Sequence, residues 1–227
     1  MIIIFYIDWR NMTLLTKSNK SAETEVFLSL VKDVALDLTK IVINPSPESI
    51  VKLLQKYSNV FVTIPDKIFF IKLNWFFDDW EHLKLSDKDK EMMKKRINNQ
   101  EYKEEFSFQL LDAINKAYGK RQIHFIVNCL IYALTYEENI WREEFYRVVF
   151  IILNTDVYSL DFLVEQLDSV SREDNNKCCY NEKVPGLFSS GLVTIATFET
   201  SLTAGPSEQK FFFTPLAYKV YEYIKDR

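Results

Sequence analysis

Apolar residues recur every three or four positions between residues 22 and 154 of the chain, and polar stretches interrupt them. This spacing places apolar side chains on one face of a helix. Runs of this kind begin near the following residues: Ala22, Ser46, Pro65, Ser86, Phe106, Arg121 and Ile140. The pattern therefore predicts a mainly α protein with an N-terminal helical bundle over residues 22–154.

Local signals mark several of the predicted helix ends. Ser46 is suited to cap the second helix, and Asn44 and Pro45 precede it. Ser86 with Asp89 three residues later resembles a capping box with Asp in place of Glu. Gly119 lies where a glycine often ends a helix. It separates the apolar run that begins at Phe106 from the buried helix predicted over 121–135.

The segment IPDKIFFIKLNWFFDDWEHL, which begins at Ile64, is apolar on nearly all sides. A helix of this kind is central in a bundle or is buried at an interface with another chain. Aromatic side chains are enriched at protein interfaces, so the second alternative predicts a homodimer or a partner subunit. The predicted partner interface comprises Phe69, Phe70, Trp75, Phe77 and Trp80.

The pattern changes after Asn154. A helix capped by Ser159 is predicted to run through Leu167, and a further helix is predicted over 175–187. Alternating apolar positions from Val193 and the run 210–213 predict two strands. The order of helices and strands predicts a winged helix with a two-stranded wing over residues 155–227.

A final helix begins at Thr214-Pro215, since Thr caps helices and Pro suits the first helical position. It closes the predicted winged helix.

In a winged helix, the helix over 175–187 would be the recognition helix. The candidate nucleic-acid contacts there and at the wing are Arg172, Asn176, Lys177, Asn181, Lys183 and Lys210. Asn and Lys side chains suit bases and phosphates. Glu173, Asp174 and Glu182 oppose phosphate, and Pro185 would shorten the helix. Contact with a protein is therefore preferred here, and DNA readout is the alternative.

The start of the chain allows two interpretations. Residues 1–21 are predicted to be a leader or a flexible arm. Codons for residues 8–11 can contain a ribosome-binding sequence before Met12, which would make Met12 the native start. The apolar run from Ile2 to Ile7 has strong strand propensity and could equally be an edge strand.

Composition narrows the classes of function. The chain has 227 residues, a formal net charge of −4, 15% aromatic residues and only 4 glycines. The charge disfavours a whole-protein nucleic-acid footprint, and no glycine-rich phosphate-binding motif occurs. Three cysteines, two of them adjacent at Cys178 and Cys179, suggest no disulfide framework and favour a cytoplasmic location. Abundant Ile, Asn, Lys, Phe and Tyr are what AT-rich codons encode, which favours a low-GC bacterial gene.

The candidate chemistry is sparse. Asp78 and His82 are four residues apart and could share a helix face, but no third metal ligand is apparent. His124 lies in a predicted buried helix and is interpreted as a structural histidine. We find no catalytic motif, and predict that the protein is not an enzyme and has no metal or other cofactor.

The ending of the chain resembles bacterial winged-helix modules. In these, a phrase similar to L-x-S-x-G-L-V precedes the wing, and F-x-L-T-P-L-G begins the last helix. The residues that match are Leu187, Ser189, Gly191, Leu192, Val193, Phe211, Phe213, Thr214, Pro215 and Leu216. Ala217 replaces the usual glycine.

Residues 66–167 resemble uncharacterised bacterial helical proteins that carry such a tail. The shared residues are Asp66, Ile68, Phe69, Lys72, Leu73, Phe76 and Phe145. The turn at Glu137-Glu138-Asn139 is weakly similar to that of tellurite-resistance-type helical domains, but it lacks their Asp-Gly. The resemblance implies a non-enzymatic interaction subunit of a bacterial multi-protein system, related to phage defence or mobile elements. A winged-helix transcriptional regulator is the alternative function.

Overall fold

The computed structural model describes residues 22–44, 46–58, 64–83, 85–97, 100–135, 141–169, 177–179, 182–195 and 210–226. These residues are mainly helical. The ten helices among them are α1 Ala22–Ile43, α2 Pro47–Ser58, α3 Ile64–Glu81, α4 Asp87–Ile97, α5 Gln100–Lys116, α6 Lys120–Thr135, α7 Trp141–Asn154, α8 Val157–Ser169, α9 Val184–Ser189 and α10 Pro215–Ile224. The three strands are β1 Lys177–Cys179, β2 Val193–Ile195 and β3 Lys210–Phe213. The predicted leader or arm over 1–21 lies outside the described residues.

Two of the predicted helix starts are confirmed at the level of single hydrogen bonds. The hydroxyl of Ser46 accepts from the backbone N–H of Ser49 at 3.1 Å. The hydroxyl of Ser86 accepts from the N–H of Asp89 at 3.1 Å and donates to its carboxylate at 2.6 Å. Each of these side chains satisfies a backbone N–H that the first helical turn leaves without a partner.

Helix α6 lies at the centre of the helical part, which comprises α1 to α7. It packs against α3, α4, α5, α7 and α10. Its buried residues lie on nearly all sides, and they include the polar Gln122 and Asn128. The predicted buried helix over 121–135 is therefore confirmed, because a helix with neighbours all round keeps no solvent face.

The C-terminal part, which begins with α8, contains a small antiparallel sheet with strand order β1-β3-β2. Val193 is opposite Phe213 in the β2–β3 pair, and Lys177 is opposite Phe212 in the β1–β3 pair. The two strands predicted near 193 and over 210–213 are confirmed. The prediction of a two-stranded wing missed β1, which adds a third strand to the edge of β3.

Thr214 joins the sheet to the last helix. Its hydroxyl accepts from the N–H of Ala217 at 3.3 Å, and Pro215 occupies the first turn, as predicted. The same hydroxyl donates to the carbonyl of Gly191 at 2.9 Å. Gly191 has a φ of 72°, in the left-handed region that glycine adopts at little cost. The start of α10 is thus tied to the turn that leads into β2.

The helix predicted over 175–187 is wrong. Residues 177–179 form strand β1, and the helix in this region is the six-residue α9, which begins only at Val184. Pro185 lies in the first turn of α9. A proline in a helix interior would lose a hydrogen bond and collide with the preceding turn, so the helix can begin here but cannot pass through.

The predicted cap of α8 is also wrong. The carboxylate of Asp156 accepts from the N–H of Ser159 at 2.8 Å, so Asp156 caps the helix and Ser159 lies in its first turn. The Ser159 hydroxyl instead donates to the carbonyl of Lys183 at 2.6 Å, beside the start of α9. Aspartate and serine are both suited to cap a helix. Because Ser159 contacts the start of α9, Asp156 is the residue that caps α8.

One cluster of buried side chains runs through the helical part and the C-terminal part. Helix α10 contributes Ala217, Val220, Tyr223 and Ile224 to it. The Tyr223 ring lies 4.3 Å from the ring of Tyr132 on α6, measured between centroids. None of the helices in the described ranges is long and apolar enough to cross a membrane.

Candidate functional site

The fold buries some residues of the predicted partner interface on α3 and leaves the others partly exposed. Phe69, Phe77 and Trp80 are buried within the chain, and the Trp80 ring stacks on Phe76 with centroids 5.9 Å apart. Phe70 and Trp75 are only partly buried. The chain's own helices therefore cover three of the five side chains.

The large apolar side chains that α3 presents to solvent are aliphatic. Ile68 and Ile71 are 49% and 47% exposed. An interface on α3 would be built from these two residues together with Phe70 and Trp75.

The candidate nucleic-acid contacts do not lie on one helix. Arg172, Asn176 and Asn181 lie outside the described residues. Lys177 is the first residue of β1 and Lys210 is the first residue of β3, which runs antiparallel to β1, so the two lie at opposite ends of this pair. The ammonium of Lys183 lies 5.7 Å from the centre of the Phe162 ring. Helix α9, with the sequence VPGLFS, carries no charged residue.

His82 does not pair with the carboxylate of Asp78. Its Nδ1 lies 2.5 Å from the backbone carbonyl oxygen of Asp78 at the exposed end of α3. Within the described residues, no group of three or more His, Cys, Asp or Glu side chains is arranged to hold a metal ion. Cys129 is a buried free thiol.

His124 is the centre of a polar cluster that the sequence analysis did not identify as a site. Its Nδ1 lies 3.1 Å from Oδ2 of Asp79 on α3. Its Nε2 lies 2.6 Å from Oδ1 of Asp226, which follows α10. The ring is partly buried on α6, so it connects three segments that are far apart in the sequence.

An amide and a guanidinium complete this cluster. The side-chain amide of Asn128, one turn along α6 from His124, donates to the carbonyl of Ile224 at 3.0 Å and to Asp226 at 3.2 Å. Arg121 forms an ion pair with Asp161 on α8 at 2.7 Å. Partial burial raises the pKa of Asp226, but the hydrogen bond and charge of His124, with smaller effects of Arg121 and Asn128, lower that pKa more, and the net shift is downward.

The arrangement is suited to holding the His124 ring between fixed partners. Each ring nitrogen of His124 faces a carboxylate of the same chain. A general base needs a nitrogen within reach of the proton that it removes from a substrate. Only the spacing of His124 and Asn128 on one helix face is visible in the sequence, because Asp79 and Asp226 reach the ring through the tertiary fold.

A second feature is a set of exposed aromatic side chains. Tyr118, Phe150, Tyr158 and Phe188 are 88%, 66%, 74% and 50% exposed. They lie before α6, near the end of α7, at the start of α8 and on α9. None of them was selected by the sequence analysis, because each occurs in an otherwise ordinary amphipathic segment.

Hydrogen bonds bring these segments together near the start of α6 and the end of α7. The amide of Gln122 accepts from the N–H of Tyr118 at 2.7 Å and donates to the carbonyl of Ile152 at 3.0 Å. The hydroxyls of Thr155 and Ser190 lie 2.5 Å apart, which joins the end of α7 to the end of α9. We refer to Tyr118, Phe150, Tyr158 and Phe188 as the aromatic end.

No protein family model, no curated protein and no solved structure matches this chain. What the protein does must therefore be inferred from its own surface and side chains. The aromatic end and the His124 cluster are two features among the described residues that local helix formation does not require.

Proposed function

We propose that this chain is a non-enzymatic protein-interaction subunit of a bacterial multi-protein system, and that the aromatic end is the surface that binds its partner. The observation that carries the proposal is the exposure of four large aromatic residues at one end of the fold. Grouped exposed apolar side chains usually mark interaction sites, and Tyr and Phe are enriched at such sites. The relation to phage defence or mobile elements rests on the family resemblance described above.

The side-chain hydrogen bonds beneath the aromatic end support this role. Gln122 is buried and bonds two different segments, while Thr155 and Ser190 bond two others. A preorganised surface loses less conformational entropy on binding than a flexible one. The partner is expected to present an apolar surface, since burial of these rings would supply most of the binding free energy.

We further propose that the C-terminal part is winged-helix-like. The order α8-β1-α9-β2-β3-α10 and the sheet order β1-β3-β2 support this assignment. Helix α9 stands where a winged helix carries its recognition helix, and it is short, uncharged and carries the exposed Phe188. Base and phosphate contacts require polar and basic side chains, so the composition of α9 favours contact with protein.

The test is quantitative purification of tagged protein from its native host. Wild type should co-purify with a partner at a constant molar ratio. The double variant Phe150→Ser/Tyr158→Ser should lose that partner and keep its melting temperature, because both side chains are largely exposed. Val51→Ser, which changes an exposed apolar residue on α2, is the matched control and should keep the partner.

Two results would contradict the proposal. One is a wild-type protein that purifies alone, and the other is a double variant that keeps the partner at the wild-type ratio. Binding of a duplex from the chain's own promoter region at physiological salt, in the absence of a protein partner, would instead support the regulator alternative.

A further inference from the structure

The solvent-facing side of α3 follows from the position of its buried side chains. The buried residues of this helix are Phe69, Leu73, Phe76, Phe77 and Trp80. With 3.6 residues per turn, the position opposite the centre of this group is that of Ile71. Ile68 and Trp75 lie on one side of Ile71, and Lys67 and Asp78 lie on its other side. We refer to these last five residues as the α3 face.

Lys67 and Asp78 supply the charges of the α3 face. Both side chains are exposed, and neither forms an ion pair within the part of the chain that the structure describes. The neighbouring charges on α3 contact other helices of the same chain. Lys72 donates to a backbone carbonyl at the end of α5 at 2.5 Å, and Oδ2 of Asp79 lies 3.1 Å from Nδ1 of His124 on α6. Lys67 and Asp78 are therefore accessible to a second molecule.

Each of these two charges lies at the end of α3 that its own helix disfavours. Lys67 is in the first turn, and Asp78 is in the last turn, which contains no basic residue. A helix carries partial positive charge at its N-terminus and partial negative charge at its C-terminus. A second helix that runs in the opposite direction would bring its C-terminal end to Lys67 and its N-terminal end to Asp78. Both charges would then be stabilised.

We propose that a second copy of this chain binds the α3 face, with the two α3 helices antiparallel and Lys67 of each copy opposite Asp78 of the other. The pairing is centred between residues 72 and 73. A parallel arrangement would place like charges together, which disfavours it. This self-association goes beyond the function proposed above and does not rest on it, because the surface and the occupant are both different.

The apolar side chains of the α3 face also match in this arrangement. The two-fold axis is perpendicular to both helices and to the line between them, so each side of the face meets the same side of the other copy. Ile71 then meets Ile71 of the other copy, and Ile68 lies beside Trp75 of the other copy. The apolar strip supplies the hydrophobic contribution, and the charges beside it set the direction of the helices.

The size of the α3 face sets the expected affinity. A standard stable interface buries roughly 800 Å² on each partner, and a single pair of helices buries less than that. The dimer is therefore expected to form reversibly, with a dissociation constant in roughly the micromolar range. Because the flanking ion pairs are exposed, the dissociation constant should rise with salt concentration.

Charge reversal tests the pairing by sedimentation velocity, with the full chain at concentrations that span the micromolar range. Lys67→Asp and Asp78→Lys each place like charges opposite each other at two points of the dimer. Each should raise the dissociation constant at least about tenfold. The combined variant Lys67→Asp/Asp78→Lys restores opposite charges and should dimerise more tightly than either single variant. Lys88→Asp changes the net charge equally at an exposed position on α4, and it should leave the dissociation constant unchanged.

Three results of this experiment would overturn the proposal. The first is a wild-type chain that stays monomeric throughout the concentration series. The second is a single charge reversal that dimerises as tightly as wild type, and the third is a combined variant that dimerises no better than the single ones. Phe150→Ser/Tyr158→Ser should keep the dimer, since both residues lie outside the α3 face. Loss of the dimer in that variant would assign self-association to the aromatic end and would also overturn the proposal.

A cross-linking measurement on wild type does not depend on the folding of any variant. Lys67 and Asp78 lie about 16 Å apart along one helix, at a rise of about 1.5 Å per residue, which is too far for a direct amide bond within one chain. A carbodiimide joins an amine and a carboxylate that are in contact, and adds no spacer. In a mixture of unlabelled and ¹⁵N-labelled full-length protein, the Lys67–Asp78 cross-link should join a labelled to an unlabelled peptide. Its absence would overturn the antiparallel pairing.

Discussion

The carboxylate of Glu144 on α7 lies 2.7 Å from the ammonium of Lys219 on α10, and the glutamate side chain is only 10% exposed. This ion pair joins the helical part to the C-terminal part beside the buried core. A buried carboxylate that loses its cation keeps its desolvation cost without the compensating attraction. This ion pair therefore fixes the position of α10 more strongly than an exposed ion pair would.

Lys219→Met should lower the free energy of unfolding by about 1–3 kcal/mol, a value reduced from that of fully buried pairs because Lys219 is partly exposed. Lys52→Met is the matched control, because Lys52 and Glu48 are 2.6 Å apart with both side chains largely exposed. It should change the free energy by less than about 0.5 kcal/mol. Urea denaturation measures the free energy of unfolding of both variants. Equal losses in the two variants would contradict this account.

Gly186→Ala should destabilise the contact between α8 and α9. A Cβ at Gly186 would clash with Oδ2 of Asp156 and with Oγ of Ser159, two atoms at the start of α8. We expect a loss of about 1–3 kcal/mol from overpacking. Gly119→Ala meets no atom within 4 Å and should stay within about 0.5 kcal/mol of wild type. Thermal unfolding compares them, and a Gly186→Ala protein as stable as the Gly119→Ala protein would refute the predicted clash.

Thr214→Ala should cost about 1–2 kcal/mol, because it removes a helix cap and a donor to the Gly191 carbonyl together. The two bonds are 3.3 Å and 2.9 Å long. Thr214→Ser keeps the hydroxyl and should remain close to wild type. Chemical denaturation measures both variants. If serine failed to restore stability, the methyl group of Thr214 and not its hydroxyl would be responsible.

Phe77→Asp and Ile71→Asp should separate core from surface on α3. Phe77 is buried, and an unpaired charge there should cost more than about 3 kcal/mol and prevent folding. Ile71 is half exposed, and the same change should cost less than about 0.5 kcal/mol. Circular dichroism reports folding, and light scattering reports whether Ile71→Asp dissociates an assembly that wild type forms. A folded Phe77→Asp protein would show that its side chain is not part of the core.

Cys129 should resist alkylation in the folded protein. Burial raises the pKa of its thiol well above the ordinary value, which disfavours the reactive thiolate. Treatment with iodoacetamide at about pH 8, near the ordinary cysteine pKa, followed by peptide mass spectrometry should find Cys129 unmodified in native protein and fully modified in denaturant. Rapid modification of the native protein would indicate that α6 opens locally.

The sequence by itself determined the helical character of the chain and several of its helix ends. Periodic apolar positions, Ser46, Ser86 with Asp89, and Thr214 with Pro215 act within one or two turns, so the interactions that they make are local. The apolar pattern of 121–135 also identified α6 as buried, because a helix without a polar face needs neighbours on every side.

Only the tertiary structure decided which surfaces these helices use. On α3, neighbouring helices cover Phe77 and Trp80 and leave Ile68 and Ile71 exposed. Because the sequence of α3 is apolar on nearly all sides, it does not indicate which of these residues will be covered. Strand β1 forms because β3 supplies hydrogen-bond partners from more than 30 residues away, which overrides the local preference of the segment. The partners of His124 come from α3 and from the end of α10, and contacts between residues so distant in sequence exist only once the chain has packed.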